Sequence, residues 1–129
     1  MKITKHLLER SLLFLALLWT FGVTIGSLAS FNNIPAVSIP GIDKTAHFIF
    51  YFVFFILWYF GLRNKIVSKN FIFILVLFTI FYGIGMEVLQ ANFTTNRQAD
   101  LYDVLANTIG TFAGFLIGYF SEKTFRNKL

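Results

Sequence analysis

The chain has 129 residues, of which 57% are hydrophobic, 19% aromatic and 13% charged, with 11 Lys and Arg against 6 Asp and Glu. Eighteen phenylalanines and several apolar runs of about 20 residues exclude an ordinary water-soluble domain and call for membrane spans. The net charge of +5 does not imply nucleic acid, because the basic residues flank the spans, and a chain without cysteine has no disulfide, thiolate metal site or thiol nucleophile.

The first span is expected from about Leu12 to Leu28, after a basic, amphipathic start containing Lys2, Lys5, His6 and Arg10. A cleaved signal peptide is the rival reading, since Ser27-Leu28-Ala29 resembles a cleavage site. The apolar run is long for a signal core, and three remaining helices would cover a polar cluster poorly, so the span is read as retained. Asn32 to Gly41 carries Pro35, Pro40 and Gly41 and reads as an extended loop. The second span is expected over about Lys44 to Leu62, with Trp58 and Tyr59 placed for an interfacial aromatic belt. The third is expected over about Phe71 to Leu89 and the fourth over about Leu101 to Phe120, followed by Glu122, Lys123, Arg126 and Lys128. Four spans of about 20 residues nearly exhaust the chain. The expectation is an all-α integral membrane protein, a single domain over residues 1–129 folded as a four-transmembrane-helix bundle.

Cytoplasmic flanks carry an excess of Lys and Arg. Lys2, Lys5, Arg10, Arg63, Lys65, Lys69, Lys123, Arg126 and Lys128 fall on one side of such a bundle, and Lys44 and Arg97 on the other. Both termini are therefore expected in the cytoplasm. The loops near residues 29–43 and 91–100 then face outward, and Asp43, Glu87, Asp100 and Asp103 gather at that end.

Ionisable groups that converge at the ends of apolar helices mark a site by default, because charge is costly in a membrane. On the second helix Asp43, His47 and Tyr51 are spaced by four, which puts them on one face and lets Asp43 orient the imidazole. Glu87 and Gln90 end the third helix. On the fourth, about 100° per residue puts Asp103, Asn107, Gly110, Gly114 and Gly118 within an arc of roughly 80°. The glycines form overlapping small-xxx-small repeats that allow close helix approach, and the two polar residues on that face favour a partner inside the chain over lipid. Gly83, one turn from Glu87, allows a similar approach on the third helix.

Three readings of the cluster stay open. In the first, Lys44 and Arg97 hold the phosphate of an anionic lipid or lipid-linked intermediate, with Tyr51, Gln90 and Asn107 as neutral hydrogen-bonding groups and Asp100 and Asp103 completing the site. In the second, His47 is a general acid or base oriented by Asp43, with Glu87 as its carboxyl partner. No side-chain nucleophile is evident near it, so that chemistry would use water. No metal set and no cofactor is assigned, but a divalent cation held by Glu87, Asp100 and Asp103 would serve, magnesium or calcium before zinc given one histidine at that end and no cysteine. In the third, the charges only pair with one another, His47 is satisfied by Asp43 or Gln90, and Asp43 and Asp103 cap their helices. A second copy of the chain or another membrane protein is open as a partner; nucleic acid is not expected.

The spaced residues Asp43-Lys44-x-x-His47-Phe48-x-x-Tyr51-Phe52, then Gly85-x-Glu87-x-x-Gln90, then Arg97-x-x-Asp100-x-x-Asp103-x-x-x-Asn107-x-x-Gly110 resemble the VanZ-like family. The similarity runs from about Asp43 to Gly118, and the first helix matches only as a generic span. The resemblance implies a four-helix bacterial inner-membrane protein, linked in some members to low-level teicoplanin resistance and hence to the cell envelope. It implies no particular reaction.

Overall fold

The computed structural model describes residues 2–29, 39–63, 69–95 and 97–126. They form four helices in chain order: α1 (Lys2–Leu28), α2 (Ile42–Gly61), α3 (Lys69–Phe93) and α4 (Leu101–Arg126). All four are long and apolar enough to cross a membrane, and no strand occurs among the described residues. The proline-containing loop expected before α2 lies mostly outside the described residues, as do Lys65 and Lys128.

The helices overrun their expected bounds for a simple reason. A span needs about 20 residues, but a helix continues until its backbone meets a breaker. Between Lys2 and Leu12 there is neither glycine nor proline, so α1 runs to 27 residues. α3 likewise runs four residues beyond Leu89, to Phe93. α2 starts where the chain turns through Gly41, whose φ of 77° is open to glycine at no steric cost. Gly41 occupies the N-cap of α2, so Asp43 is not the cap expected from the sequence and sits in the first turn instead.

In a bilayer the hydrophobic effect does not draw helices together, and close packing and hydrogen bonds must do so. α2 is the central helix, and α4 lies against it along the glycine face. A Cβ on Gly110 would run into the backbone of Phe48; one on Gly114 would lie 3.2 Å from Phe52 O and Phe55 Cβ; one on Gly118 would lie 2.8 Å from the Tyr59 ring. The internal partner expected for this stripe is therefore α2. Phe55 and Tyr59 of α2 close the core with Leu75 and Val76 of α3. Tyr59 is fully buried there, so it is a core residue and not part of an interfacial belt.

α1 is held differently, by polar bonds to the helices beside it. Trp19 Nε1 donates to the Phe50 carbonyl at 3.0 Å, and Trp58 Nε1 donates to Thr20 Oγ1 at 3.1 Å. The Tyr82 hydroxyl of α3 lies 2.5 Å from Thr24 Oγ1 and 3.3 Å from the Thr20 carbonyl. Interhelical bonds of this kind contribute on the order of 0.6 kcal/mol each in a membrane, enough together to fix α1 in register. Trp58 is thus turned inward toward α1. Most other large side chains of α1, among them Phe14, Leu17 and Phe21, remain exposed and suit lipid.

Candidate functional site

Where α2, α3 and α4 share one end, the close approach at Gly110 brings the polar residues together. Phe48 lies against Gly110, so its neighbour His47 reaches Asn107, one turn from Gly110 on the fourth helix. His47 Nδ1 is 3.0 Å from Asn107 Oδ1. The amide oxygen only accepts, so Nδ1 carries the proton and donates. The partner anticipated from spacing, Asp43, lies 3.8 Å from Nε2, beyond hydrogen-bond range, and Gln90 is used elsewhere, donating through Nε2 to the Ser27 carbonyl at 3.0 Å. Asp43 and His47 do share a face, as expected, but the imidazole is oriented by Asn107.

Lys44 is the hub of the charges. Its Nζ is 2.7 Å from Asp100 Oδ2, 3.0 Å from Asp103 Oδ1 and 3.6 Å from Asp43 Oδ2. Asp103 is buried and Asp43 exposed, so the ammonium bridges from solvent to the interior. Asp100 also caps α4: its Oδ1 accepts the Tyr102 N–H at 2.8 Å, and its carbonyl accepts from Asp103 and Val104. The capping role anticipated for Asp103 therefore belongs to Asp100. Glu87 is buried, with Oε1 3.7 Å from His47 Nδ1 and Oε2 accepting the Asp100 N–H at 3.4 Å.

Tyr51 lies one turn deeper. It is buried against Phe54 and Tyr82, and its hydroxyl has no hydrogen-bond partner among the described residues. Arg97 is exposed and makes no ion pair among the described residues. The sequence reading that paired it with a carboxyl does not describe its place.

Two cavities meet at this cluster. The smaller, about 210 Å³, is polar and lined by Asp43, Gln90, Arg97, Gln98, Asp100 and Asp103. The larger, about 600 Å³, is a mostly apolar cleft between α1 and α2 whose walls include Leu18, Trp19, Val23 and Phe50. Asp43 and Arg97 line both. Sequence reasoning missed the cleft, although a signal for it was present. Gly22 and Gly26 form a small-xxx-small pair on α1, and a Cβ on either would meet nothing within 4 Å. This pair packs against no helix and instead borders the open cleft.

The scan against protein families matches the VanZ/LLP1 model over residues 4–122. The chain belongs to the VanZ/LLP1 family. The match includes α1, which the spaced motifs did not reach. Among curated proteins, the chain is similar to one of Schizosaccharomyces pombe described as "Uncharacterized protein C11E3.10", 34% identical over 94 residues, which make up 69% of this chain and 54% of that protein. The chain thus spans about half the length of that relative. No solved structure matches it significantly.

The hub also sets a pH response. Lys44, first, and then the Tyr102 N–H hold the Asp100 carboxyl below the usual carboxylate range. A group depressed in the folded state stabilises the fold above its unfolded pKa of about 3.9. That contribution is lost as pH falls through the lower folded value. Melting temperature in detergent should therefore drop on acidification below about pH 4, and Asp100→Asn, which keeps a capping oxygen, should flatten that acid limb. An unchanged limb in the variant would remove Asp100 from the account.

Proposed function

We propose that this protein binds an anionic membrane lipid or lipid-linked cell-envelope intermediate, headgroup in the polar cavity and hydrocarbon chain in the cleft between α1 and α2. The observation that carries this reading is the junction of the two cavities at Asp43 and Arg97. An apolar cleft of about 600 Å³ is within the usual range for small-molecule sites, and a polar pocket at one end gives it the polarity of a lipid. Arg97, exposed at the rim and without an ion pair among the described residues, is the group for a phosphate, which guanidinium holds with paired hydrogen bonds. Lys44 contributes less directly, since its ammonium is already shared among carboxylates. Gln90 and Gln98 line the same pocket and offer neutral hydrogen bonds.

The Lys and Arg distribution supports placing the polar end on the extracytoplasmic side of a bacterial inner membrane, with both termini inside. A lipid-handling role there would connect the chain to glycopeptide tolerance, since those antibiotics act on lipid-linked envelope precursors.

Lipid retention measured by native mass spectrometry on protein purified from mixed phosphatidylglycerol and phosphatidylcholine checks the reading. Wild type is expected to keep the anionic lipid preferentially. Arg97→Gln should reduce that preference by about 10- to 100-fold, as loss of a charge-assisted contact worth about 1.5–3 kcal/mol implies. Gly22→Leu with Gly26→Leu should fill the cleft and reduce retention of both lipids while leaving the fold intact, because a Cβ at either position meets nothing within 4 Å and both glycines line the cleft. Retention equal to wild type in both variants would sink the proposal.

A further inference from the structure

Two of the three carboxylates around Lys44, Asp43 and Asp103, each turn only one oxygen toward it. Asp43 Oδ2 and Asp103 Oδ1 face the ammonium at 3.6 and 3.0 Å. Their other oxygens, Asp43 Oδ1 and Asp103 Oδ2, face His47 Nε2 at 3.8 and 3.6 Å. The pair therefore brackets two positions suited to a cation, and Lys44 fills one of them. The second lies among Asp43 Oδ1, Asp103 Oδ2 and His47 Nε2.

Three features show what suits that second position. His47 is 8% exposed, and its Nε2 makes no hydrogen bond among the described residues. The opposite nitrogen donates to Asn107 Oδ1, with Glu87 Oε1 also facing it. In the neutral imidazole this leaves the lone pair at Nε2, the arrangement in which a histidine ligates metal while an outer partner holds its other N–H. Separations of 3.6 and 3.8 Å are too long for hydrogen bonds. They are close to the roughly 3.3–3.6 Å that separates ligand atoms around a tetrahedral ion with bonds of about 2.0–2.2 Å. Ligand atoms of all three residues lie within 4.8 Å of one another.

We propose that His47 Nε2, Asp43 and Asp103 form a divalent-metal site. One nitrogen and two carboxylate ligands suit zinc or manganese, and the imidazole disfavours magnesium and calcium, which take oxygen. The set differs from the one suggested by spacing: Asp100 is committed to Lys44 and the Tyr102 N–H, while Glu87 lies on the Nδ1 side of the ring. The site sits where the cavities join, since His47 borders the apolar cleft, Asp103 the polar pocket and Asp43 both. Ligand positions not supplied by the protein would face that junction, within reach of an anionic oxygen. The metal site stands on its own geometry, whether or not a lipid occupies the cleft.

The test is titration calorimetry with zinc chloride and manganese chloride on the full chain in phosphatidylcholine nanodiscs, after chelator treatment and without anionic lipid. Wild type is expected to bind one equivalent of at least one of these ions, and magnesium more weakly. Asp43→Asn, at an exposed position where folding is not at stake, and His47→Gln should each weaken binding by at least about 100-fold. Asn107→Leu, which removes the hydrogen-bond partner of His47 Nδ1 but no metal ligand, should weaken it by about 10- to 100-fold as an outer-partner loss does. Manganese paramagnetic resonance should show a nitrogen-coupled signal that His47→Gln removes. Failure of wild type to take up either ion, or binding unaffected by Asp43→Asn, overturns the assignment while leaving the lipid-retention result to stand or fall separately.

Discussion

Gly110→Ala will destabilise the bundle by about 1–3 kcal/mol, the usual cost of forcing atoms into a packed contact, lowering its melting temperature in detergent by roughly 4–15 °C. The added methyl would meet the carbonyl oxygen, carbonyl carbon and Cα of Phe48, all backbone atoms of α2. A side chain can rotate away from such a contact, whereas a helix backbone can yield only by moving the whole element. Gly118→Ala meets the Tyr59 ring at 2.8 Å and should cost less, because a ring can tilt. Gly85→Ala is the internal control. Its Cβ meets nothing within 4 Å, and alanine is favoured over glycine in a helix by about 1 kcal/mol, so this variant should melt at or above the wild-type temperature. The contrast separates close approach from any general intolerance of substitution. If Gly110→Ala and Gly85→Ala melt together, α4 does not lie on α2 as described.

The consequence of that contact reaches the site. Phe48 follows His47 in the chain, so pushing α2 away from Gly110 also withdraws His47 from Asn107. The glycine face and the polar cluster are one device: the small residues let the helices come close enough for the imidazole on one to use the amide on the other.

This also explains which parts could be read from the sequence. Four spans were legible because covering about 30 Å of hydrocarbon requires long apolar runs, and nothing in a soluble protein imitates them. The glycine face of α4 was legible because helical periodicity fixes which residues share a face, and burial of Asp103 and Asn107 followed from the same geometry. What periodicity cannot give is which face of another helix lies opposite. Asp43 and Gln90 were both reasonable partners for His47, and Asn107 holds that place only because α2 and α4 cross at Gly110. The capping of α4 turned on a similarly small matter: Asp100 and Asp103 are both suitable residues, and the point where the chain enters the helix selects Asp100. The Gly22 and Gly26 pair was visible but has two meanings, close packing or open space, and only the position of α2 decides between them. Trp58 and Tyr59 illustrate the same limit, since aromatic residues near a helix end suit a bilayer interface and a packed core equally well.

Asp103→Asn should raise the melting temperature of the metal-free protein by about 2–8 °C. Three carboxyl groups, Asp43, Asp100 and Asp103, converge here on a single ammonium, and a fourth, Glu87, faces His47, with Arg97 outside the ion-pair network among the described residues. A set built only for stability would match its charges, since like charges in a poorly solvated space repel. Replacing the buried Asp103 with its neutral isostere relieves that repulsion, and Lys44 keeps Asp100 at 2.7 Å. A purely structural ion-pair network predicts the opposite sign, because removing one partner of a buried pair is strongly destabilising. Added zinc or manganese sharpens the comparison: a ligand that binds only the folded state raises stability by mass action, so the wild type should gain and Asp103→Asn should not. A variant that melts below wild type without metal would make Asp103 a strut of the fold. A variant that melts higher without metal and fails to respond to it would show carboxylates retained at the expense of stability for the cation they hold.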